Sequence, residues 1–154
     1  PAPYRILAKL RESANDEVLP SLETIAEASA LLADKQLEDL SAEYPVMRSV
    51  APLRPVLQAL PVNATNASYL CSPKGLVVRD AARTRLAAVP MVRDRATARG
   101  LDLAALTAVR LRSERQTEGT SEYRLFRLEM DIARMGWFEI AAFRARSNPS
   151  RPTP

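Results

Sequence analysis

The stretch Phe126-Arg127-Leu128-Glu129-Met130-Asp131-Ile132 alternates apolar and charged residues without a break. Successive side chains of a β-strand point to opposite faces of a sheet, whereas a helix places apolar residues three and four apart. The alternation therefore predicts a strand with one buried face and one solvated face. Upstream, residues 106–112 alternate partially, and the polar stretch 113–121 with Gly119 follows them. We expect two antiparallel strands joined by that polar stretch as a loop.

Helical spacing is predicted on both sides of this pair of strands. Residues 73–99 interleave an apolar set with arginines, Pro73 suits a first helical position, and Gly100 suits a C-terminal cap. After Gly136, residues 137–146 also show helical spacing, with Trp137 and Ile140 facing inward. The predicted order in this region is α-β-β-α, with residues 69–71 as a short edge strand before it.

The first part of the chain is predicted to be helical. A helix begins near Tyr4, and Ser21 is a candidate N-cap for a long amphipathic helix that extends to Tyr44. That helix is either a coiled-coil arm or a helix packed on its own domain. Its apolar stripe, which shifts phase along its length, contains Leu22, Ile25, Leu32, Leu37 and Leu40. Residues 46–60 continue as helical pieces interrupted by prolines.

These elements predict an α+β fold with three regions. Residues 1–61 form a helical N-terminal region, residues 62–147 a small α+β domain, and residues 148–154 a proline-rich tail. An all-α bundle is the alternative. A chain of 154 residues with 47% apolar content is long enough to bury a core of its own.

The chain contains no histidine and one cysteine, Cys71. Histidine is the usual general base near neutral pH and the commonest metal ligand, so catalytic triads, Cys-His pairs and histidine metal sites are excluded. Glycine-rich phosphate-binding motifs are also absent. We therefore predict a protein that is not an enzyme and has neither cofactor nor metal. The remaining enzymatic alternative, a carboxylate pair at Glu129 and Asp131, is more simply a solubilising strand face.

Positive charge exceeds negative charge, with 22 Lys and Arg against 18 Asp and Glu. An excess of this size gives a modest attraction to anionic partners. The candidate anion or nucleic-acid contacts are Arg79, Arg83, Arg93 and Arg95. Asp80 and Asp94 lie beside them in the sequence, so a solvated and partly neutralised helix face is the alternative.

Four stretches of the second half of the chain follow one another in an order shared with a known family. They are Tyr69-Leu70-Cys71-Ser72-Pro73, residues 86–101 leading into the strand at 106–111, the strand at 123–132, and Gly136-Trp137-Phe138-Glu139-Ile140-Ala141-Ala142-Phe143. This series resembles the soluble domain of the type II secretion system M-subunit and of its type IV pilus alignment counterpart. The resemblance covers about half of the chain.

The resemblance implies a ferredoxin-like domain that dimerises, preceded by a coiled-coil helix and a membrane anchor, at the periplasmic face of a bacterial inner membrane. Three features depart from it. The chain has no apolar run of the roughly 18 residues that a membrane span needs, no clear strand follows Phe143, and residues 46–68 are rich in proline. Any membrane association would therefore come through a segment outside this chain.

The function predicted from these observations is that of a non-catalytic structural or assembly subunit in a homo- or hetero-oligomer. A secretion or pilus inner-membrane platform is the assembly that the resemblance implies. The alternatives are a basic coat or nucleic-acid-packaging subunit and an accessory subunit of a large organellar complex. The candidate interaction surface is the helical stripe named above together with Phe126, Leu128, Met130 and Ile132.

Overall fold

A computed structural model describes residues 2–14 and 20–146 of the protein. The predicted proline-rich tail, residues 148–154, lies outside the described residues. The α-helices are α1 (Ala2–Ala14), α2 (Leu22–Leu31), α3 (Asp34–Glu43), α4 (Val46–Ser49), α5 (Arg54–Ala59), α6 (Ala67–Leu70), α7 (Asp80–Ala87) and α8 (Pro90–Ala98). The strands are β1 (Leu76–Val77), β2 (Leu106–Glu118), β3 (Ser121–Ile132) and β4 (Gly136–Arg146). Short 3₁₀ turns occupy Ala51–Leu53 and Leu103–Ala105.

The four strands form one sheet in the order β1-β2-β3-β4, and each strand is antiparallel to its neighbours. The α+β class is therefore confirmed. The β2–β3 hairpin is confirmed as well, but the loop predicted for residues 113–121 is wrong. The strands pair as far as Glu118 and Ser121, which leaves a turn of two residues, Gly119-Thr120. Gly119 has a φ of +61°, as the first position of a tight hairpin turn requires.

Residues 137–146 form strand β4, so the predicted final helix and the α-β-β-α order are wrong. The helical spacing has a structural cause at Ile140. In the pairing with β3, Leu128 lies opposite Ala141 and Glu129 opposite Glu139, so Ile140 is an extra residue in a β-bulge. Ile140 and Ala141 are consequently both buried, which interrupts the alternation. Strand β4 is also the final strand that the sequence did not reveal.

The predicted helix over residues 73–99 is also wrong, because this stretch contains β1, α7 and α8. Pro90 occupies the start of α8, and Val89 before it has extended geometry, as a residue preceding proline prefers. The C-terminal cap at Gly100 fits the prediction. Its φ is +65°, and the Leu101 amide donates to the Ala96 carbonyl at 2.9 Å in a Schellman arrangement.

Two further predictions on the helical side are wrong. Residues 69–71 are not an edge strand, because the Cys71 amide donates to the Ala67 carbonyl at 3.1 Å and closes the helical turn α6. The long helix from Ser21 to Tyr44 is broken at Leu32, whose ψ is 147°. The break leaves a backbone carbonyl and a backbone amide without helical partners, and side chains bind both. Arg54 donates to the Leu32 carbonyl at 2.8 Å, and the Ala33 amide donates to a side chain of α3 at 3.0 Å.

The buried side chains form one hydrophobic cluster that extends from Ile6 in α1 to Ala145 in β4. Residues 1–61 and 62–147 thus share a core, with α2 in contact with α1, α5, α6 and β2. Helix α1 is also held by charge, because the buried Glu27 carboxylate on α2 pairs with Arg5 and Lys9. None of the helices in the described residues is long and apolar enough to span a membrane.

Candidate protein interaction site

The most accessible hydrogen-bonding surface lies along one edge of the sheet, on strand β2. Strand β1 covers only Ala108 and Val109 of this edge. The Val78 amide donates to the Thr107 carbonyl at 2.9 Å, which shows that the odd-numbered residues here direct their backbone groups toward β1. Because backbone groups of an antiparallel strand alternate in direction, the same side is faced by the amides and carbonyls of later odd-numbered residues. Those residues are Leu111, Ser113, Arg115 and Thr117.

The edge-directed amides and carbonyls of these four residues lie beyond the end of β1. Within residues 2–14 and 20–146, nothing outside the sheet makes a hydrogen bond with them. The open edge, defined here as residues 111–118 of β2, is therefore an unpaired strand. Unpaired edges of this length are a template for an additional strand.

A compact cluster around Gly75 explains why β1 does not extend further along β2. Residues before Gly75 turn away, with the Gly75 amide donating to the Ser72 carbonyl at 3.1 Å. Arg110 donates to the Pro73 carbonyl at 2.6 Å and stacks on Trp137, with 4.1 Å from the guanidinium carbon to the ring centre. Gly75 has a φ of +74°, and a Cβ there would lie 2.8 Å from the Trp137 ring. The cluster accepts only glycine at this turn.

A groove of about 640 Å³ runs beside the open edge. Its volume is in the range of ordinary ligand pockets. One wall is the start of helix α2, a second is the segment after α6, and the third is the sheet. The lining residues are Ser21, Leu22, Glu23, Cys71, Pro73, Arg110, Arg112, Ser113 and Arg124.

The groove has an excess of positive charge. Arg110 and Arg112 share one carboxylate, Glu129, at 2.8 and 3.2 Å. Arg124 donates to the Ser113 hydroxyl at 2.9 Å and forms no ion pair within the described residues. Burial lowers the pKa of Arg124, and nearby Arg115 lowers it further, whereas Glu23 raises it. A guanidinium remains charged at neutral pH despite such a shift, so Arg124 is a half-buried cation that lacks a carboxylate partner among the described residues.

Cys71 is the one thiol of the chain, and it lies in the groove wall. Burial, reinforced by the charges of Glu23 and Glu27, raises the pKa of Cys71 to about 12. The thiol is therefore protonated at neutral pH and is a poor nucleophile. No cluster of three His, Cys, Asp or Glu residues that could hold a metal occurs in the described part of the chain.

The other edge of the sheet, on strand β4, is protected. The bulge at Ile140 interrupts its regular backbone spacing. Arg95 of helix α8 donates to the Ile140 carbonyl at 3.1 Å and so occupies an acceptor on this edge. Bulges and edge-directed charges are the usual devices that prevent another strand from pairing.

The solvent-facing surface of the sheet is neutralised internally. Arg127 pairs with Glu114 at 2.7 Å and with Glu139, and Arg144 pairs with Glu118. Arg144 also lies over the Tyr123 ring, 3.8 Å from its centre. The arginines of this ladder are matched by carboxylates, whereas the lining of the groove has three arginines and one carboxylate.

The apolar residues predicted as an interaction surface lie instead in the core. A strand face or helical stripe is buried wherever the chain itself can cover it, and here the helices and the sheet cover each other. The buried members of this set are Ile25, Leu32, Leu37, Leu40, Phe126, Leu128, Met130 and Ile132. Leu22 alone of the set is partly exposed, and it lines the groove.

The four predicted anion contacts do not form one site in the structure, because each of these arginines has a different environment. Arg83 donates to the Leu106 carbonyl at 3.0 Å, Arg95 holds the Ile140 carbonyl, and Arg93 is near Asp94 at 3.4 Å. Arg79 lines a smaller cavity of about 410 Å³ beside β1 and α7. Two of the four arginines thus bind backbone carbonyls of strands in their own chain. In the proposed carboxylate pair, Glu129 is engaged by Arg110 and Arg112.

The sequence did not predict Arg115 and Arg124 as site residues. Arg115 belongs to the polar stretch predicted to be a loop, and Arg124 follows that stretch. Their relation becomes visible only when β2 and β3 are extended to the turn, where Arg115 and Arg124 are direct cross-strand neighbours. A strand prediction that tolerated alternating polar residues would have placed them together.

Comparisons with models of protein families, with curated proteins and with solved structures return no match.

Proposed function

We propose that this protein is a non-catalytic assembly subunit that binds its partner by adding a strand to the open edge of β2. The observation that carries this proposal is the contrast within one sheet: the edge-directed backbone groups of Ser113, Arg115 and Thr117 on β2 are unpaired and not buried, while the β4 edge is bulged at Ile140 and bound there by Arg95. A chain that protects one edge and leaves the other open has a pairing surface in a defined place.

The lack of a catalytic constellation supports the non-catalytic part of the proposal. The chain has no histidine, and the raised pKa keeps the Cys71 thiol protonated. Glu129, one of the two carboxylates of the enzymatic alternative, is held by two arginines. These features favour binding over chemistry.

The secretion or pilus platform remains a proposal for the particular assembly, as does the ferredoxin-like description of the domain. The antiparallel sheet packed against helices supports it. The linear strand order and the connection of three residues between β3 and β4 differ from a ferredoxin-like arrangement, in which a helix lies between the paired halves. The nucleic-acid-packaging alternative has less support, because the sheet arginines are mostly paired with carboxylates.

Site-specific photo-crosslinking tests the proposal. A photoreactive amino acid at Thr117, on the open edge, should capture one defined partner, either another copy or a second protein. The same label at Ala142, exposed on β4, is the matched control and should capture markedly less. Light scattering then gives the size of the complex. A strictly monomeric chain with equal background labelling from both positions would overturn the proposal.

A further inference from the structure

We propose that the open edge of β2 receives an extended, acidic segment of a partner protein, whose carboxylates are held by Arg115 and Arg124 on one face of the sheet. This inference rests on the proposed function and adds the chemistry of the occupant. It is derived from three properties of the edge: its free backbone groups, the charge of the adjoining groove, and the poor fit of a second copy of the same strand.

The backbone requirement is for an extended segment. The open edge has eight residues, so an added strand of the same length would extend over about 26 Å at roughly 3.3 Å per residue. Ser113, Arg115 and Thr117 would each offer an amide and a carbonyl to it, whereas Leu111 is fully buried. Such main-chain bonds supply affinity for any extended peptide, and selectivity must come from the neighbouring side chains.

The side chains near the edge select for negative charge. Arg115 is exposed and forms no hydrogen bond or ion pair among the described residues, and Arg124 has only the Ser113 hydroxyl. Arg112 faces the other side of β2 and is paired with Glu129, so it does not contribute to this selection. Guanidinium groups without a carboxylate form strong, charge-assisted hydrogen bonds when one arrives. The one acidic residue that lines the groove is Glu23, on the opposite wall.

A second copy of β2 fits this edge poorly. Two copies of β2 that pair as antiparallel strands are related by a two-fold axis. Because residues on the same face of the sheet oppose each other in such a pair, one residue lies at the axis and faces its own copy. Pairing that stays clear of β1 and uses most of the open edge centres on Glu114, Arg115 or Gln116. The first two choices place a charged residue opposite its own copy, and the third places Glu114 opposite Glu118, so each destabilises the strand pair. The charge pattern therefore favours a different, acidic sequence.

Three peptides of eight residues test the inference by fluorescence anisotropy with the full chain. They alternate Val with Glu, Val with Gln, or Val with Lys. The Val/Glu peptide should bind at least about tenfold more tightly than Val/Gln at low salt, and this advantage should shrink as salt is added. The Val/Lys peptide should bind most weakly.

Variants of the chain then assign the effect to residues. Arg115→Gln combined with Arg124→Gln should reduce Val/Glu affinity to the level of Val/Gln. Arg144→Gln, which removes a paired arginine from the other face, should leave it unchanged. Ser113→Pro removes an edge-directed amide and should abolish binding of all three peptides, whereas Ser113→Ala keeps the amide and should retain most of it. Thr117→Pro provides a second test if Ser113→Pro does not fold.

The outcomes separate the two proposals. Equal affinity for the Val/Glu and Val/Gln peptides, together with a loss of both in Ser113→Pro, would overturn the acidic preference and leave edge pairing in place. A dimer that Ser113→Pro dissociates, without peptide binding, would overturn the acidic partner and keep the assembly function. Peptide binding that neither proline variant reduces would overturn both.

Discussion

The two edge strands of the sheet have similar residue compositions, but they differ in whether their backbone groups are available for pairing with another strand. Both strands carry arginines and contain apolar and polar residues. On β4 a single extra residue, Ile140, breaks the spacing of the backbone groups, and Arg95 binds its carbonyl. On β2 the ladder is regular from Leu111 onward, and the nearby arginines bind no edge carbonyl. Regular spacing and unused charge, rather than composition, distinguish an edge that binds from one that does not.

The largest expected effect is a difference in reaction rate between a thiol in the groove beside β2 and a thiol on the β4 edge. At pH 8, Cys71 should react with DTNB roughly a thousandfold more slowly than an ordinary thiol, because its pKa is about 12 instead of about 8.5. The control is a single-cysteine variant with Cys71→Ser and Ala142→Cys, whose thiol lies exposed on β4. Similar rates for the two thiols would contradict the burial of Cys71.

The same pKa gives a prediction for stability. In the folded chain Cys71 keeps its proton up to about pH 12, whereas in the unfolded chain the thiol ionises above about pH 8.5. The stability that the protonated Cys71 thiol contributes is therefore fully present below pH 8.5 and is lost as the pH rises toward 12. Denaturant titrations across this range should show a steeper loss for the natural chain than for Cys71→Ser.

Substitution of Gly75 should cause the largest loss of stability at either edge. Gly75→Ala introduces a Cβ that would lie 2.7 Å from the Val109 carbonyl oxygen, at a φ that disfavours any side chain. We expect the free energy of unfolding to fall by about 2–4 kcal/mol, from strain and overlap together. Gly136→Ala, at the start of β4, has a φ of +90° and open space around it, so it should cost only about 1–2 kcal/mol. Equal losses in urea unfolding would contradict the role of the cluster around Gly75.

Removing the protection of the β4 edge should have a smaller effect. Arg95→Gln withdraws a charged donor from the Ile140 carbonyl, so we expect a loss of about 1–2 kcal/mol and a greater tendency to self-associate. Arg93→Gln, two residues away and near only Asp94, should change stability by less than about 0.5 kcal/mol. Thermal unfolding and light scattering measure both quantities. Unchanged behaviour of Arg95→Gln would mean that the bulge alone protects β4.

The sequence predicts β3 and misses β4 for a reason that lies in the sheet itself. Strand β3 keeps strict alternation because it is paired on both sides and its charged face is neutralised across the strands. In β4 the bulge brings the adjacent residues Ile140 and Ala141 into the core, and this spacing imitates a helix. A bulge depends on the partner strand, so a pattern within β4 cannot reveal it.

The candidate site depends even more on distant contacts. The length of the open edge is determined by Gly75, Arg110 and Trp137, which are 27 to 62 residues apart in the sequence and meet through the sheet. The sequence predicts an assembly protein with strand pairing in its second half, but it does not indicate which edge is open. The polar composition of residues 113–121 further concealed the strand that carries the site.

The order in which this chain is synthesised has a consequence for the shared core. Helices α1 to α6 are synthesised before β2, β3 and β4, although α2, α4 and α6 contact that sheet. The sheet itself pairs rapidly once made, because its hairpins close over two and three residues and cost little chain entropy. The apolar surface that these helices bury against the sheet therefore stays uncovered until the last third of the chain is made. Premature termination within the sheet would release an aggregation-prone helical fragment.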